Sequence, residues 1–498
     1  MKAEILFDKK RIIVKIENNH NPDVKVILYI GQLAPSLSFQ PECFLLYENS
    51  TLMFNHIYGL KEGLNDFCEK FMKEPVNTKE LIINNQKFGL AVKKEQNPDW
   101  NLKFNDDDLI STYFNRPTLV GLTNIGAPYY MNAILQCFCQ IEEFTSYFKF
   151  NRYVNYISNN YEKLGKNCLS KSFKILIDNI WPITLHNKIN NSNNVIYSPV
   201  EFKEKIFKMS NLMNKTSVND IKDFINLILI TLHEELNKKT LNNNINNNII
   251  QNTSNFYEAF QCFYSDFQNN YCSKISELFY GIQMTETTCL NCNSSQYNFQ
   301  TYFSLIFSLK KVQKYALNKY QFQKQFLLNS NNSYNNMNIN QINLKILNLA
   351  NNIVNIFDCF DYSQKIDTLL KDNSIYCTGC CQLSQADYST KLYNLPKILI
   401  LIFDRENKNQ NIKLDFPIQL DLNSYSLDKN NNSQYKLIGV VDYIIINNQH
   451  SFFIAHCLSP IDNNWYTYKD DNVNQVFNFK NQIYDEGMPC LLIYKRIG

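Results

Sequence analysis

The sequence predicts an α+β fold, and three observations support this prediction. Residues 121–138 hold a glycine turn followed by apolar residues at helical spacing, which indicates a loop leading into a buried helix. Residues 395–405, LPKILILIFDR, form an apolar run typical of a central strand covered on both faces. Two C-x-x-C pairs, at 289–292 and 377–380, indicate two hairpin knuckles. The chain therefore combines helical and strand-rich segments.

Composition limits the partners of the chain. Its 498 residues, 45% of them hydrophobic, suffice for one large domain and a smaller one. A net charge of +3 is too balanced to indicate nucleic acid or a membrane as the main partner. We find neither a signal peptide nor a run approaching the roughly 20 apolar residues of a spanning helix. The odd number of cysteines, 15, favours reduced thiols in the cytoplasm or nucleus, with some bound to metal.

Residues 1–115 differ from the rest of the chain. RIIVKIE (11–17) and VKVILYIG (24–31) alternate as strands do, and GLNDFCEKFMK (63–73) has helical spacing. No functional motif is recognisable there. We predict a small N-terminal α+β accessory region of unknown function.

The middle of the chain contains helices and two asparagine-rich inserts. Helical patterns run to about Met209 and recur near Val218–Lys238 and Ser254–Tyr264. The inserts lie near 239–255 and within 312–350. Because runs of Asn bury little apolar surface, we predict that both inserts are disordered.

The two C-x-x-C pairs predict a metal site. Cys289 with Cys292 and Cys377 with Cys380 would place four thiolates in the tetrahedral arrangement that suits Zn²⁺. A site closed by four protein ligands is structural, with no open position for catalysis. Cys381 adjoins the second pair and is a competing ligand. The alternatives are a redox dithiol or four buried cysteines without metal.

Residues 121–136, GLTNIGAPYYMNAILQ, resemble the cysteine box of the ubiquitin-specific proteases, GLxNxGATCYMNxxLQ. The matching residues are Gly121, Leu122, Asn124, Gly126, Ala127, Tyr130, Met131, Asn132, Leu135 and Gln136. Tyr129 occupies the position of the reactive cysteine, and Pro128 precedes it. A tyrosine hydroxyl, with a pKa of about 10, is a poor nucleophile toward an amide near neutral pH.

The rest of this box keeps the setting for catalysis. A proline such as Pro128 suits the first turn of a helix, whose dipole lowers the pKa of a thiol. The resemblance gives Asn124 the role of oxyanion donor, which without a nucleophile yields little turnover. Cys137 and Cys139 lie past the first turn, so we predict core thiols. From the residues alone, a buried helix after a glycine turn remains the simpler alternative.

Residues 435–473 resemble the histidine box of the same family. The residues in register are Leu437, Val440, Phe453, Ala455, Cys457, Ile461, Asp462, Trp465, Tyr466, Tyr468 and Asp470. In that register Phe452 occupies the general-base histidine position and Ser451 that of the preceding glycine. Lys469 stands where the family has Asn or Asp. The resemblance therefore implies that all three catalytic positions are changed.

Neighbouring residues do not replace the missing base. His450 shares a strand face with Phe452 but lies about 6–7 Å away, beyond hydrogen-bond reach. His456 lies on the same face and further off, and we predict that both histidines are surface or loop-edge residues. Asp470 and Asp471 are predicted turn residues.

The resemblance covers roughly 117–498 and implies a papain-like cysteine-protease fold. In the family, a helical thumb and a β-sheet palm flank the tail of ubiquitin, and β-rich fingers with zinc at their tip hold its globular body. These parts correspond here to residues 116–265 (thumb), 275–390 (fingers) and 391–498 (palm).

The implied function is that of a pseudo-deubiquitinase, which binds ubiquitin or a ubiquitin-like protein, or serves as a scaffold, without cleaving. One alternative is a thiol-dependent ubiquitin hydrolase with non-standard catalytic residues. The other is a structural partner in a larger protein complex that does not bind ubiquitin.

Overall fold

A computed structural model describes most of the chain from Pro117 onward, together with the backbone of seven strands before it. With side chains, it covers residues 117–126, 130–149, 168–182, 195–209, 220–237, 255–329, 335–370, 373–405, 411–429, 431–446, 450–479, 483 and 487–497, apart from a few strand and helix ends. The chain forms two compact units, one of Met1–Val120 with Thr145–Tyr197 and one of Gly121–Phe144 with Ser198–Gly498. Among the described helices, none has the length and apolar character that a membrane crossing demands.

The first unit contains a seven-stranded sheet. Its strands are β1 (Lys2–Asp8), β2 (Arg11–Glu17), β3 (Lys25–Ile30), β4 (Phe44–Glu48), β5 (Thr51–His56), β6 (Glu80–Ile83) and β7 (Gln86–Val92). They lie in the order β5-β4-β3-β2-β1-β7-β6, with β1 and β7 parallel. The strands predicted at 11–17 and 24–31 are β2 and β3, whereas the helix predicted at 63–73 lies outside the described residues.

Helices dominate the chain between β8 (Val120–Leu122) and the fingers. They are α1 (Tyr130–Cys139), α2 (Glu142–Lys149), α3 (Leu169–Ile180), α4 (Val200–Met209), α5 (Asp220–Leu236), α6 (Phe256–Asn270) and α7 (Lys274–Phe279), with β9 (Val195–Tyr197) before α4. The helical stretches predicted from apolar spacing correspond to α4, α5 and α6. Asn255 starts α6 by accepting a hydrogen bond from the backbone N–H of Tyr257, as an N-cap residue does.

The fingers are a four-stranded antiparallel sheet with a small hairpin. The sheet contains β10 (Gly281–Cys289), β11 (Ser295–Tyr302), β14 (Asp367–Leu369) and β17 (Ala386–Asn394), in the order β11-β10-β17-β14. The hairpin is β15 (Ile375–Cys377) with β16 (Gln382–Ser384). Strand β10 ends at Cys289 and β15 at Cys377, so both cysteine pairs begin where a strand turns.

An eight-stranded sheet forms the palm. Its strands are β12 (Leu305–Ser308), β18 (Ile398–Asp404), β20 (Gln419–Asp421), β21 (Gln434–Ile446), β22 (His450–Leu458), β23 (Trp465–Lys469), β24 (Asn472–Val476) and β25 (Pro489–Arg496). Their order is β12-β18-β25-β21-β22-β23-β24, with β20 paired to β21. Every residue of β18 before Asp404 is buried, as the apolar run at 395–405 predicts.

The prediction of disorder for the insert at 312–350 is wrong. The segment forms two long helices, α8 (Leu309–Asn329) and α9 (Asn335–Ala350), which lead into β13 (Ile353–Asn355) and α10 (Ile356–Ser363). Strand β13 pairs with β19 (Lys413–Asp415). Val312, Ala316 and Tyr320 recur at helical spacing on α8 and are buried in the palm core, so the helix is stable despite its Asn-rich surroundings. The insert near 239–255 lies outside the described residues, apart from the N-cap of α6.

Helix α1 packs against the palm sheet. The ring of Tyr130 meets that of Phe453 edge-on, with centroids 6.0 Å apart. Further along the helix, Cys137 Sγ lies 3.6 Å from Cys457 Sγ. Because β22 carries both contacts, the predicted nucleophile helix and the predicted histidine strand are held together.

The core of the palm gives a stability prediction. Leu401→Ala in β18 removes a fully buried side chain, so the free energy of unfolding should fall by about 2–5 kcal/mol. Ile306→Ala, at a 43% exposed position on the neighbouring strand, is the control and should cost below about 1 kcal/mol. Chemical denaturation measures both, and equal losses would contradict the central position of β18.

Candidate functional site

The site begins where β8 lies against the turn after β23. The backbone N–H of Leu122 donates to the carbonyl oxygen of Asp470 at 2.9 Å. A Cβ on Gly121 would lie 2.4 Å from the carbonyl oxygen of Asp471, so only glycine permits this approach. The two segments are therefore in backbone contact.

Asp470 connects this turn to the nucleophile helix. Its backbone has a φ of 48°, the left-handed conformation that Asp tolerates in turns. Its Oδ2 accepts a hydrogen bond from Asn124 Nδ2 at 3.3 Å, and its Oδ1 accepts one from Asn132 Nδ2 at 2.8 Å. Asn132 Nδ2 also lies 3.3 Å from the carbonyl oxygens of Leu122 and Thr123. Asp470 is therefore a turn residue, as predicted. In addition, its carboxylate orients two side-chain amides.

Asn124, the predicted oxyanion donor, lies in the turn after β8. Its Oδ1 accepts the backbone N–H of Gly126 at 3.1 Å, which closes a local turn. Gly126 has a φ of 68°, and Lys203 supports the turn by donating to the carbonyl oxygen of Ile125 at 2.6 Å. The amide nitrogen carries two hydrogens, and within the described residues only Asp470 accepts from it. Asn124 itself is exposed. Pro128 and Tyr129 lie outside the described residues.

Phe452 and Lys469 contact each other. The ammonium nitrogen of Lys469 lies 4.3 Å from the centroid of the Phe452 ring, a cation–π geometry. Phe452 is half-buried and Lys469 is exposed. The two positions that the sequence assigns to the base and its orienting partner are therefore adjacent. Neither side chain accepts a proton near neutral pH, since a benzyl ring has no lone pair and an ammonium only donates.

His456 corrects a second prediction, because it is not a surface or loop-edge residue. It is 5% exposed, with Nδ1 2.8 Å from Thr467 Oγ1 and Nε2 3.1 Å from Asp442 Oδ2. The pairing of β22 with both β21 and β23 places it inside the sheet, which the pattern of one strand does not reveal. Both ring nitrogens of His456 have partners, so His456 is not available to act as the general base in place of Phe452. The side chain of His450 lies outside the described residues.

The thiols near the nucleophile helix are core residues, as predicted. Cys137, Cys139 and Cys457 are buried. Burial raises the pKa of the Cys139 thiol and that of the Cys457 thiol above the ordinary range. A buried neutral thiol is a weak nucleophile, so neither Cys139 nor Cys457 is suited to replace the reactive cysteine of the family.

The four cysteines predicted as ligands converge. The Sγ atoms of Cys289, Cys292, Cys377 and Cys380 lie within 4.8 Å of one another. Sulfur atoms lie 3.9 Å apart between Cys289 and Cys380, and 3.5 Å apart between Cys292 and Cys377. Four sulfurs at about 2.3 Å from a tetrahedral ion would be about 3.8 Å apart. The cluster therefore has the donor set and the size to hold a metal ion.

Hydrogen bonds from hydroxyl and backbone groups favour the thiolate form of one of these cysteines, Cys377. The Ser294 hydroxyl 3.3 Å from Cys377 Sγ, with the backbone N–H of Cys380, lowers the pKa of Cys377 to about 6. Gly379 leaves room for this contact, because a Cβ there would lie 2.8 Å from Ser294 Oγ. Cys381 is exposed and its Sγ points to the carbonyl oxygen of Thr378 at 3.5 Å, away from the cluster. The competing role weighed for Cys381 therefore finds no support.

Comparison with known proteins identifies the family. The model of the family described as ubiquitin carboxyl-terminal hydrolase matches residues 120–494. The chain belongs to this family. The resemblance to the ubiquitin-specific proteases is confirmed, and with it the α+β, papain-like fold.

Individual relatives are distant and longer. The chain is 24% identical over 365 residues to ubiquitin carboxyl-terminal hydrolase 2 of Homo sapiens, covering 72% of this chain and 52% of that protein. The chain is 23% identical over 365 residues to the protein of the same name from Bos taurus, and this match also covers 72% of this chain and 52% of that protein. Ubiquitin carboxyl-terminal hydrolase 5 of Saccharomyces cerevisiae is 23% identical over 317 residues, covering 62% of this chain and 34% of that protein. The chain thus spans about half the length of its first relatives, or less.

Sequence reasoning missed two pairings in this family member, one between helix α1 and the turn after β23 and one inside the palm sheet. Asn132 was only a motif match, yet it shares Asp470 with Asn124. Its position, two residues into a helix and far from Asp470 along the chain, gave no signal of that pairing. The bond between His456 and Asp442 depends on strand register, which one sequence does not specify.

The carboxylate of Asp470 can be tested by Asp470→Ala. The change removes the acceptor of the Asn124 amide and the shortest of the three contacts of the Asn132 amide, so the free energy of unfolding should fall by about 1–3 kcal/mol. Asp471→Ala removes the neighbouring, exposed carboxylate and should cost under about 0.5 kcal/mol. Urea denaturation compares the two, and an equal effect would rule out the bridging role.

Proposed function

We propose that this chain is a pseudo-deubiquitinase, which binds ubiquitin or a ubiquitin-like protein through the family fold and does not cleave it. The observation that carries the proposal is the contact between Lys469 and Phe452, at 4.3 Å, where the family has a base and its orienting partner. The third changed position, Tyr129, is read from the sequence.

Cysteine-protease chemistry requires a nucleophile and a group that takes its proton. A tyrosine hydroxyl would need a strong base beside it, because its pKa of about 10 keeps it protonated near neutral pH. Phe452 supplies no such base, and His456 is occupied by Asp442 and Thr467. The oxyanion donor that Asn124 offers has no reaction to assist without the attack.

Binding is supported by the parts of the fold that remain. The relatives named above are ubiquitin hydrolases, and the family match extends over the fingers and the palm. In the family, a narrow slot admits the C-terminal glycines of ubiquitin, and Phe452 adds bulk at that slot. The fingers, by contrast, form a four-stranded sheet in this chain. We therefore assign the main contact to the globular body of ubiquitin rather than to its C-terminal tail.

The metal in this proposal is Zn²⁺. Four sulfur donors at tetrahedral spacing favour it over the hard cations, which prefer oxygen. Cys289, Cys292, Cys377 and Cys380 would hold the ion and join the turn after β10 to the β15–β16 hairpin. Its role is structural, because the four ligands leave no open position.

The cysteines also bear on location. Each cysteine of the described ranges is a free thiol, with none in a disulfide. Reduced thiols beside a thiolate metal site fit a reducing compartment, so we propose the cytoplasm or the nucleus.

An activity-based probe tests the loss of chemistry. The chain should form no covalent adduct with ubiquitin bearing a C-terminal electrophile, because position 129 offers no thiolate. The control is Tyr129→Cys combined with Phe452→His and Lys469→Asn, which restores the three side chains. Mass spectrometry detects the adduct. An adduct with the unaltered chain would overturn the proposal in favour of the enzyme with non-standard residues.

A titration tests binding. Labelled ubiquitin should show chemical-shift changes over its globular body. The Kd of ubiquitin lacking its last two glycines should differ from that of intact ubiquitin by less than about twofold, which is about 0.4 kcal/mol in binding free energy. The reason is that the bulk of Phe452 leaves the tail little to contact. No shift changes at high micromolar concentration would select the structural-partner alternative.

Metal content tests the fingers. Cys377→Ser removes one of four thiolates, so bound zinc should fall from about one ion per chain to near zero and the melting temperature should drop. Cys381→Ser, at the exposed neighbour, should retain the ion. Elemental analysis and thermal melting supply the readouts, and equal loss in both variants would exclude the proposed ligand set.

The same site should respond to pH. Because the pKa of Cys377 lies at about 6, below the ordinary thiol range, its thiolate persists until the pH falls through that value. The stability that the thiolate contributes is therefore fully present above the ordinary thiol pKa, and it is lost progressively as the pH falls from that value through about 6. Zinc affinity, measured by competition with a chromophoric chelator, should weaken as the pH falls through this range.

A further inference from the structure

We propose that the helical hairpin formed by α8 (Leu309–Asn329) and α9 (Asn335–Ala350) is a docking surface for an acidic amphipathic segment of another protein. This surface lies outside the triad positions and the cysteine cluster. It adds a second partner to the proposed ubiquitin-binding function and does not depend on it.

The hairpin carries an unusual charge. Between 309 and 350 the chain has six lysines and no aspartate, glutamate or arginine. The whole chain carries only +3, so the residues outside the hairpin carry a net −3. The hairpin is therefore net positive whereas the remaining residues together are net negative, and a local excess of positive charge attracts an acidic partner and accelerates its encounter.

Lys319 and Lys345 have partners within the protein. Lys319 Nζ lies 2.7 Å from Asp361 Oδ2, and Lys345 Nζ lies 4.8 Å from the centroid of the Tyr320 ring. In contrast, Lys310, Lys314 and Lys324 form no ion pair with any described acidic residue. These three lysines remain to bind a partner.

Apolar side chains accompany the lysines. Phe322 is 71% exposed and Phe326 is 68% exposed. Leu328, Leu344 and Leu347 are also exposed among the described residues of the hairpin. Large apolar groups at such exposure are typical of an interaction surface. A partner that covers them must present apolar groups as well as acidic ones.

The two kinds of residue occupy different flanks of α8. At about 100° per residue, Lys310, Lys314 and Lys324 fall within about 80° of one another on the helix, whereas Phe322 and Phe326 lie roughly 140° around from them. Val312, Ala316 and Tyr320 face the palm core on the remaining side, so the hairpin is a fixed platform.

This arrangement favours a protein over a membrane or a nucleic acid. A membrane-bound helix needs its apolar residues along the outward face, yet Asn318 and Gln325 occupy that line between the two flanks of α8. A nucleic acid would pair with the lysines and stack on the phenylalanines, but it offers no apolar group to Leu328, Leu344 and Leu347. An acidic amphipathic protein helix that lies along the line of Asn318 and Gln325 presents its acidic residues to the lysine flank and its apolar residues to the phenylalanine flank.

The test measures binding of a synthetic helix, with Glu on its polar face and Leu on its apolar face, to the full chain by fluorescence anisotropy. The Glu-bearing helix should bind about tenfold more tightly than one with Gln in place of Glu, and added salt should weaken it. Lys314→Glu with Lys324→Glu should weaken binding about tenfold. The matched control, Lys208→Glu with Lys222→Glu on α4 and α5, should change it less than about twofold.

Further arms decide between partners. Phe322→Ser with Phe326→Ser should also weaken the binding of the Glu-bearing helix. Ubiquitin binding should stay unchanged in every hairpin variant. Equal binding of the Glu and Gln helices, or equal effects of the two lysine pairs, would overturn the proposal. So would hairpin-dependent binding to phosphatidylcholine vesicles containing phosphatidylserine, or to an oligonucleotide, that exceeds binding to the helix. Circular dichroism confirms that each variant is folded.

Discussion

The architecture of this site depends on the carboxylate of Asp470. Two amides reach it from segments more than 300 residues away in the sequence, Asn124 from the turn after β8 and Asn132 from α1. The backbone N–H of Leu122 adds a third bond to the carbonyl oxygen of the same residue. The turn after β8, the start of α1 and the turn after β23 are therefore held together by one residue.

The sequence was sufficient to predict the elements whose signal is local. The buried strand at 395–405, the helices at 200–209 and 220–236, and the four converging cysteines each have a pattern of spacing that specifies them. Features that depend on partners distant in the sequence were not predictable in the same way. Asp442 and His456 meet only because two strands pair in one register out of several.

The error at 312–350 has a physical lesson. Composition alone predicted disorder, because Asn lowers the average hydrophobicity of the segment. What decides is the placement of the few apolar residues, since Val312, Ala316, Tyr320 and Leu349 suffice to attach two helices to the palm core. The same insert then presents its lysines and phenylalanines on a rigid support instead of a fluctuating loop.

Gly121 has a consequence for how such proteins evolve. A Cβ at this position would lie 2.4 Å from the carbonyl oxygen of Asp471, so its replacement is penalised whether or not the protein turns over a substrate. Selection for folding alone can therefore preserve much of a catalytic signature after the reaction is lost. Across a lineage, similarity in these boxes measures the inheritance of a scaffold, and only the identity of the reacting side chains measures the inheritance of an enzyme.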